Sequence, residues 1–296
     1  MQIRKFYLVD VFADKKYAGN QLAVVRNAAG LSDKEMQNIT RETKFSEATF
    51  ITSDEERNGG YDVRIFTPMT EVPFAGHPTI GTAFIIQREI IKKPVPKLTL
   101  NLKVGQIPVT ISYKDGQADV LSMKQINPTF SKIWDAGLMA HILNIDKSDI
   151  DTRFPIQSVS TGLGTIIVPL KTLATVKKAK CNVPEFFRQF PSVEQAELID
   201  FFSPETYHKE NQLNVRVFCD CHGTPEDPAT GSGNGCLAGW LAKYEYFGKD
   251  SIDIRIEQGY EIGRPSLLFL KAAVVGDKID VNVGGRVVMV VKAELV

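Results

Sequence analysis

Two carboxylic side chains and two glycine-rich turns are the parts of this 296-residue chain whose type and spacing could do chemistry. Phe45-Ser46-Glu47-Ala48-Thr49-Phe50 puts an acid inside an apolar stretch that should enter a strand. Burial there would raise the carboxyl pKa toward the range useful for acid–base work, although the residues alone equally allow a solvated strand-edge carboxylate. Asp227, within Glu226-Asp227-Pro228-Ala229-Thr230, stands just before a helix start, either as a proton-transfer group or as an acid that complements the helix dipole. The turns are Ala75-Gly76-His77-Pro78 and Thr230-Gly231-Ser232-Gly233-Asn234-Gly235. Each feeds a segment that is apolar all round, and the N–H groups that open a buried helix need partners, for which an anionic ligand is one solution. Gly76, Gly231 and Gly233 would let a ligand approach the backbone closely, with His77 and Ser232 adding side-chain donors. The plainer alternative is a pair of turns that only lead into core helices. The second turn has neither the glycine spacing of a dinucleotide fingerprint nor the lysine of a phosphate loop.

Other chemistries have less to stand on. Cys181, Cys219, Cys221 and Cys236 are sparse and irregularly spaced, which opposes a disulfide framework and suits a reducing compartment. Cys219-Asp220-Cys221-His222 offers zinc-type ligands but no second pair at a familiar spacing, so these read as strand-end residues. His141 and His208 read as incidental, and His222 as a loop residue. Thirty-five basic residues balance thirty-five acidic ones with no long run of either sign, which gives no footprint for nucleic acid or anionic lipid. Apolar stretches such as Leu267–Leu270 and Val287–Val291 are far below the ~18–20 residues of a membrane span, and no signal-peptide core opens the chain. A cytoplasmic protein without membrane or nucleic-acid partners is expected.

The elements that must position these groups come in two rhyming sets. Val63-Arg64-Ile65-Phe66, a loop and the first glycine turn recur as Val215-Arg216-Val217-Phe218, a loop and the second turn. Upstream of each block a glycine precedes a β-branched run, Gly19 to Val25 and Gly164 to Val168. Such self-similarity predicts two similar domains, in keeping with a length prior of ~100–200 residues each. Ser32 with Glu35 spells a capping box and Leu31 with Met36 a hydrophobic staple, predicting a helix to about Thr43. Pro191-Ser192 with Gln195 offers a similar start in the second half. Leu98, Leu100, Leu102 and Val104, then Ile107, Val109, Ile111 and Tyr113, alternate as a hairpin around Gly105 with one wet face. Thr79 to Ile86 and Gly235 to Leu241 should be buried helices, with Pro78 in a first turn that does not need its N–H.

The quoted residues resemble the phenazine-biosynthesis isomerase-like family, which shares its fold with diaminopimelate epimerase. The resemblance runs from Val9-Asp10-Val11-Phe12 and Gly19-Asn20 through Phe45-Ser46-Glu47, Phe66-Thr67-Pro68 and Pro73-Phe74-Ala75-Gly76-His77-Pro78-Thr79. It continues through Ser160-Thr161-Gly162, Asp227-Pro228-Ala229-Thr230-Gly231-Ser232, Gln258-Gly259, Gly263-Arg264-Pro265 and Val283-Gly284-Gly285. Gln21 departs from the proline or small residue usual after Gly-Asn. The resemblance implies an α+β protein of two similar domains, each a mixed sheet curled into a barrel around a central helix, with the active site between them. The expected division is 1–125 and 126–282, with 283–296 as a strand able to return to the first domain. It further implies Glu47 as acid–base residue, and His77 and Asp227 as groups that bind and polarise a small-molecule substrate. Gly76, Gly231 and Ser232 would hold its carboxylate; no cofactor or metal is expected, and a homodimer is. The epimerase branch opens each turn with cysteine, where this chain has Ala75 and Thr230, and Cys236 lies too far into its helix to substitute. A two-thiol racemase is therefore disfavoured relative to a one-carboxylate proton shift on a carboxylate- or amine-bearing metabolite. The alternatives are a binding protein that has lost turnover, or a lyase or two-base epimerase using Asp227.

Overall fold

A computed structural model of the protein describes residues 3–191, 197–219 and 224–296. The chain divides into two compact units, 1–123 with 284–296, and 124–283. In the first unit β1 (Arg4–Val11) pairs antiparallel with β2 (Asn20–Arg26), which pairs parallel with β3 (Ala48–Ile51). β3 pairs antiparallel with β4 (Tyr61–Phe66), whose far end carries the short hairpin strand β5 (Glu71–Val72). β4 then runs parallel to β6 (Lys97–Leu102), followed by the antiparallel β7 (Gly105–Lys114) and β8 (Gln117–Lys124). The C-terminal strand, Val287–Leu295, closes the other side on β1.

The sheet has two faces, and the alternation along β3 shows how they are used. Ala48 and Phe50 point to α1 (Asp33–Thr43), where they pack with Ala23, Val25, Phe66 and Met36. Thr49 points the other way, to α2 (Gly76–Ile85). α1 starts as the sequence predicts, with the Ser32 hydroxyl accepting from the Glu35 N–H and the Glu35 carboxylate accepting from the Ser32 N–H. α2 is buried from His77 to Ile85 and touches β1, β2, β3, β6, β7 and the C-terminal strand. A helix with no polar face has to be wrapped, and so many strands reach one helix only because the sheet curls around it. Pro78 is the third residue of α2, where a missing N–H removes no bond. The β6–β7 hairpin forms around Gly105, but Val104 belongs to its turn and is 58 % exposed, so the alternation stops at Leu102.

The second unit repeats this wiring. β9 (Thr129–Ile133) pairs antiparallel with β10 (Gln157–Ser160), and β10 with β11 (Gly164–Pro169). Between β9 and β10 lies α3 (Ala136–Leu143), and after β11 come α4 (Leu173–Lys178) and α5 (Val183–Gln189). β11 runs parallel to β12 (Leu198–Ser203), which is antiparallel to β13 (Leu213–Cys219), which carries the hairpin strand β14 (Thr224–Asp227). After α6 (Gly231–Lys243), β15 (Ser251–Gln258) lies parallel to β13 and antiparallel to β16 (Ser266–Val275). β17 (Lys278–Gly285) leads to the strand already described, β18. Outer-face residues Ile166, Val168, Ile199, Phe201 and Phe218 pack with α3 to α5, while α6 contacts β10, β11, β12, β15 and β16. The helix start proposed at Ser192 and Gln195 lies outside the described residues.

Even the side-chain detail recurs. Arg64 grips Glu71 with bonds of 2.8 and 2.9 Å and lies 5.1 Å from the Phe66 ring. Arg216 grips Glu226 at 2.9 and 2.7 Å and lies 5.0 Å from Phe218. Two-pronged guanidinium–carboxylate bonds fix each hairpin strand, β5 or β14, just ahead of the helix start it precedes.

Candidate active site

Glu47 ends the link from α1 and directly precedes β3; its side chain is 18 % exposed. His77, second residue of α2, brings Nε2 to 3.4 Å from Glu47 Oε2. Burial pushes the His77 pKa down to about 3, against which a hydrogen bond to the Gln21 backbone acts weakly. The ring is therefore neutral at ordinary pH, and the contact is a carboxyl against a neutral imidazole, not an ion pair. With Nε2 on Glu47, the bond to the Gln21 backbone falls to Nδ1, which then carries the ring proton and leaves Nε2 as an acceptor. The sequence suggested His77 as a side-chain donor for a ligand; its ring is 8 % exposed and lies against the acid. Ala75 caps α2 with extended backbone and no side-chain bond, while Thr79 returns both its N–H and its hydroxyl to Ala75 O. The N–H groups of Gly76 and His77 thus have no acceptor within the helix.

In the second unit Thr230 caps α6 without a side-chain bond to the helix, because its hydroxyl donates to Asp227 Oδ2 at 2.6 Å. Gln258, at the end of β15, organises the turn. Its Oε1 accepts from Thr230 N and Asn234 Nδ2, and its Nε2 donates to Asp227 O and Thr230 Oγ1. Gly259 follows at φ +76°, and a Cβ there would lie 2.6 Å from Pro228 O, so the two backbones touch. Asn234 N bonds Thr230 O, so the N–H groups of Gly231, Ser232 and Gly233 have no acceptor within the helix. Three neighbouring N–H groups at the positive end of a 13-residue helix make a site suited to an anion.

Glu47, His77 and Gly76 are thus gathered at the start of α2, and Asp227, Gly231 and Ser232 at the start of α6. Gln258 was marked in the sequence only through the resemblance at Gln258-Gly259: a glutamine ending a strand otherwise looks ordinary until the fold brings it under a turn 28 residues upstream. Cys236 is fully buried beside Thr161, and the buried thiol is pushed up, opposite to a reactive thiolate. Among the described residues no group of His, Cys, Asp and Glu is arranged for a metal, and Asp220, Cys221 and His222 lie outside them. Among the same residues no helix is long and apolar enough to cross a membrane.

The chain is similar to proteins of known name over nearly its whole length. The trans-2,3-dihydro-3-hydroxyanthranilate isomerase of Pseudomonas aeruginosa is 31 % identical over 293 residues, 96 % of each chain. A crystal structure of a Bacillus anthracis phenazine biosynthesis protein of the PhzF family superposes with a TM-score of 0.89 at 28 % identity, covering both chains completely. The fold alone extends further, to a hydroxyproline epimerase of Agrobacterium vitis with a TM-score of 0.62 at 10 % identity, covering all of this chain and 91 % of that one. The family model described as phenazine biosynthesis-like protein matches residues 9–293, and the chain belongs to that family of isomerases.

Proposed function

We propose that the protein is a cofactor-independent isomerase that moves a proton within a small metabolite bearing a carboxylate or amine, with Glu47 as the acid–base group. The observation that carries this reading is the half-buried Glu47 carboxyl held 3.4 Å from a neutral His77 at the mouth of a helix. In the reaction the Glu47 carboxylate takes a proton from a substrate carbon and the C–H electron pair enters the adjacent π system. The same carboxyl then returns the proton to another carbon of that system, so atoms and charge balance with no added reagent. The neutral His77 ring orients Glu47, whose carboxylate begins the reaction as the base; Asp227, anchored by Thr230 and Gln258, binds the polar substituent. N–H groups at Gly76, Gly231 and Ser232 hold the substrate carboxylate. The reading requires one substrate to meet both helix starts, in the cleft between domains that the family resemblance implies.

The relative's named substrate, trans-2,3-dihydro-3-hydroxyanthranilate, carries both a carboxylate and an amine and is the first compound to test. In deuterated water the wild type should place solvent deuterium in the product, and Glu47→Gln should lower that incorporation by about 10²–10⁴-fold. Unchanged incorporation in the variant rules out Glu47 as the shuttle. Binding without product or exchange in the wild type, across this and related amino acids, would instead favour a binding protein. A product inverted at one centre would favour a two-base epimerase with Asp227 as the opposing base.

A further inference from the structure

Asp200 lies in the middle of β12 with no solvent exposure, and neither carboxyl oxygen has a hydrogen-bond partner within the described residues. A buried polar group in that condition is costly, and nothing in the packing of the strand calls for an acid. The repeat shows what stands at the same place in the first unit. Ala48 opposes Phe66 and Thr49 opposes Ile65; Ile199 opposes Phe218 and Asp200 opposes Val217. Asp200 is therefore the counterpart of Thr49, which receives the Thr82 hydroxyl at 2.7 Å. The counterpart of Thr82 on α6 is Leu237, which cannot bond.

The side chain points at the start of α6. A Cβ added at Gly233 would sit 3.5 Å from Asp200 Oδ2 and 3.3 Å from the Thr230 methyl group. The carboxyl thus stands directly behind the turn whose N–H groups at Gly231, Ser232 and Gly233 have no acceptor within the helix. Its neighbours on β11 and β13 by register are Ile167 and Val217, neither of which carries charge. α6 presents Cys236, whose buried thiol feels the Asp200 charge, and beyond Thr230 the next carboxyl is Asp227.

We propose that Asp200 is a positioning residue for the substrate's anionic group, acting through the charge it places behind the α6 start. Uncharged, it leaves the positive end of the helix to the substrate. Ionised, it occupies that end from the inside and weakens the hold on the substrate anion. Burial pushes the Asp200 carboxyl well above its ordinary range, which favours the uncharged, competent form. The proposal rests on the reading that Gly231 and Ser232 bind a carboxylate.

Anthranilate is a suitable probe, because its carboxylate stays ionised and its aryl amine neutral from about pH 6 to about pH 10, so any pH dependence beyond that belongs to the protein. Titration calorimetry on the full chain should show the wild-type Kd rising about tenfold or more across that range. Asp200→Asn, and Asp200→Thr, which copies Thr49, should each keep Kd level. Carbon-13 NMR of the carboxyl signal missing from Asp200→Asn should show it titrating on the alkaline side. A signal titrating in the ordinary acid range overturns the proposal whether or not anthranilate binds. Wild-type and variant curves that coincide overturn it and leave the anion-binding reading intact. No binding to any of the three proteins at any pH removes that reading, and this proposal with it.

Discussion

The two units share a frame and differ in what they place inside it. Strand order, register, the parallel β2–β3 and β11–β12 pairs, and the Arg64–Glu71 and Arg216–Glu226 clamps are repeated. Inside, the correspondence breaks at the positions that meet the central helix. Leu22 lies over Gly81 in the first unit, where the second sets Thr165 over Cys236. Thr49 bonds Thr82, where Asp200 faces Leu237. Glu47 has Leu198 as counterpart, buried and without chemistry, and His77 has Ser232. Duplicating a barrel supplies two helix starts, but a proton shuttle needs an acid at only one of them, so the copies are free to diverge at the turns while the clamps that aim those turns stay alike.

His77 gives the comparison its largest handle in stability. Its folded pKa of about 3 lies below the unfolded value near 6.5, so between those values the unfolded chain binds a proton that the folded one refuses. Its contribution is complete above about pH 6.5 and is lost as pH falls toward about 3, at ~1.4 kcal/mol per unit, several kcal/mol in all. Urea denaturation at descending pH should show this limb in the wild type and a flatter one in His77→Gln; Ser232, the counterpart, does not titrate there.

The clamps come next. Arg216 and Glu226 are 9 % and 8 % exposed, and Arg216 also donates to Val176 O and Ala179 O, whereas Arg64 and Glu71 are 30 % and 20 % exposed. Arg216→Ala should cost about 3–5 kcal/mol and Arg64→Ala about 1–2, from urea midpoints. Equal losses would show that burial does not distinguish the copies. At the helices, a Cβ on Gly81 would lie 2.6 Å from Leu22 Cδ2 and 2.8 Å from Val11 Cγ2, so Gly81→Ala should cost about 1–3 kcal/mol. Cys236→Ala, its counterpart, only shortens a side chain and should cost about 1 kcal/mol or less. The smallest pair has opposite signs: Thr49→Val should lower stability by about 1 kcal/mol, through the lost Thr82 bond, while Asp200→Val should raise it by a similar amount. A common sign in thermal melts would mean that Asp200 has gained a partner of its own.

What could be read in the sequence was what is local. Ser32 and Glu35 are three residues apart and cap α1 directly, and the Val-Arg-Ile-Phe and Val-Arg-Val-Phe strings disclose a repeated strand because each is continuous. Glu47 and the glycine turns stood out for the same reason: an acid or a glycine run interrupts an apolar pattern. The function of a residue that acts across the fold leaves no such mark. Gln258 meets Thr230, Asn234 and Asp227 only after β15 has been laid beside β13. Asp200 in Leu198-Ile199-Asp200-Phe201-Phe202 looks like the wet face of an alternating strand, yet both faces are covered, one by α3 to α5 and one by α6. Val104 failed in the opposite sense, because the alternation it continues runs two residues past the strand into the turn.

The closing strand has a consequence for how the protein is made. β18 pairs with β1 from Arg4 opposite Leu295 to Val11 opposite Val287, so β1 gains this neighbour only after the whole second unit has been synthesised. The second unit is one continuous stretch and can condense while the first still lacks a wall. Until then one edge of β1 offers a bare row of peptide groups to any passing strand, and the interval before β18 is made should be when a nascent chain is most at risk of joining its neighbours.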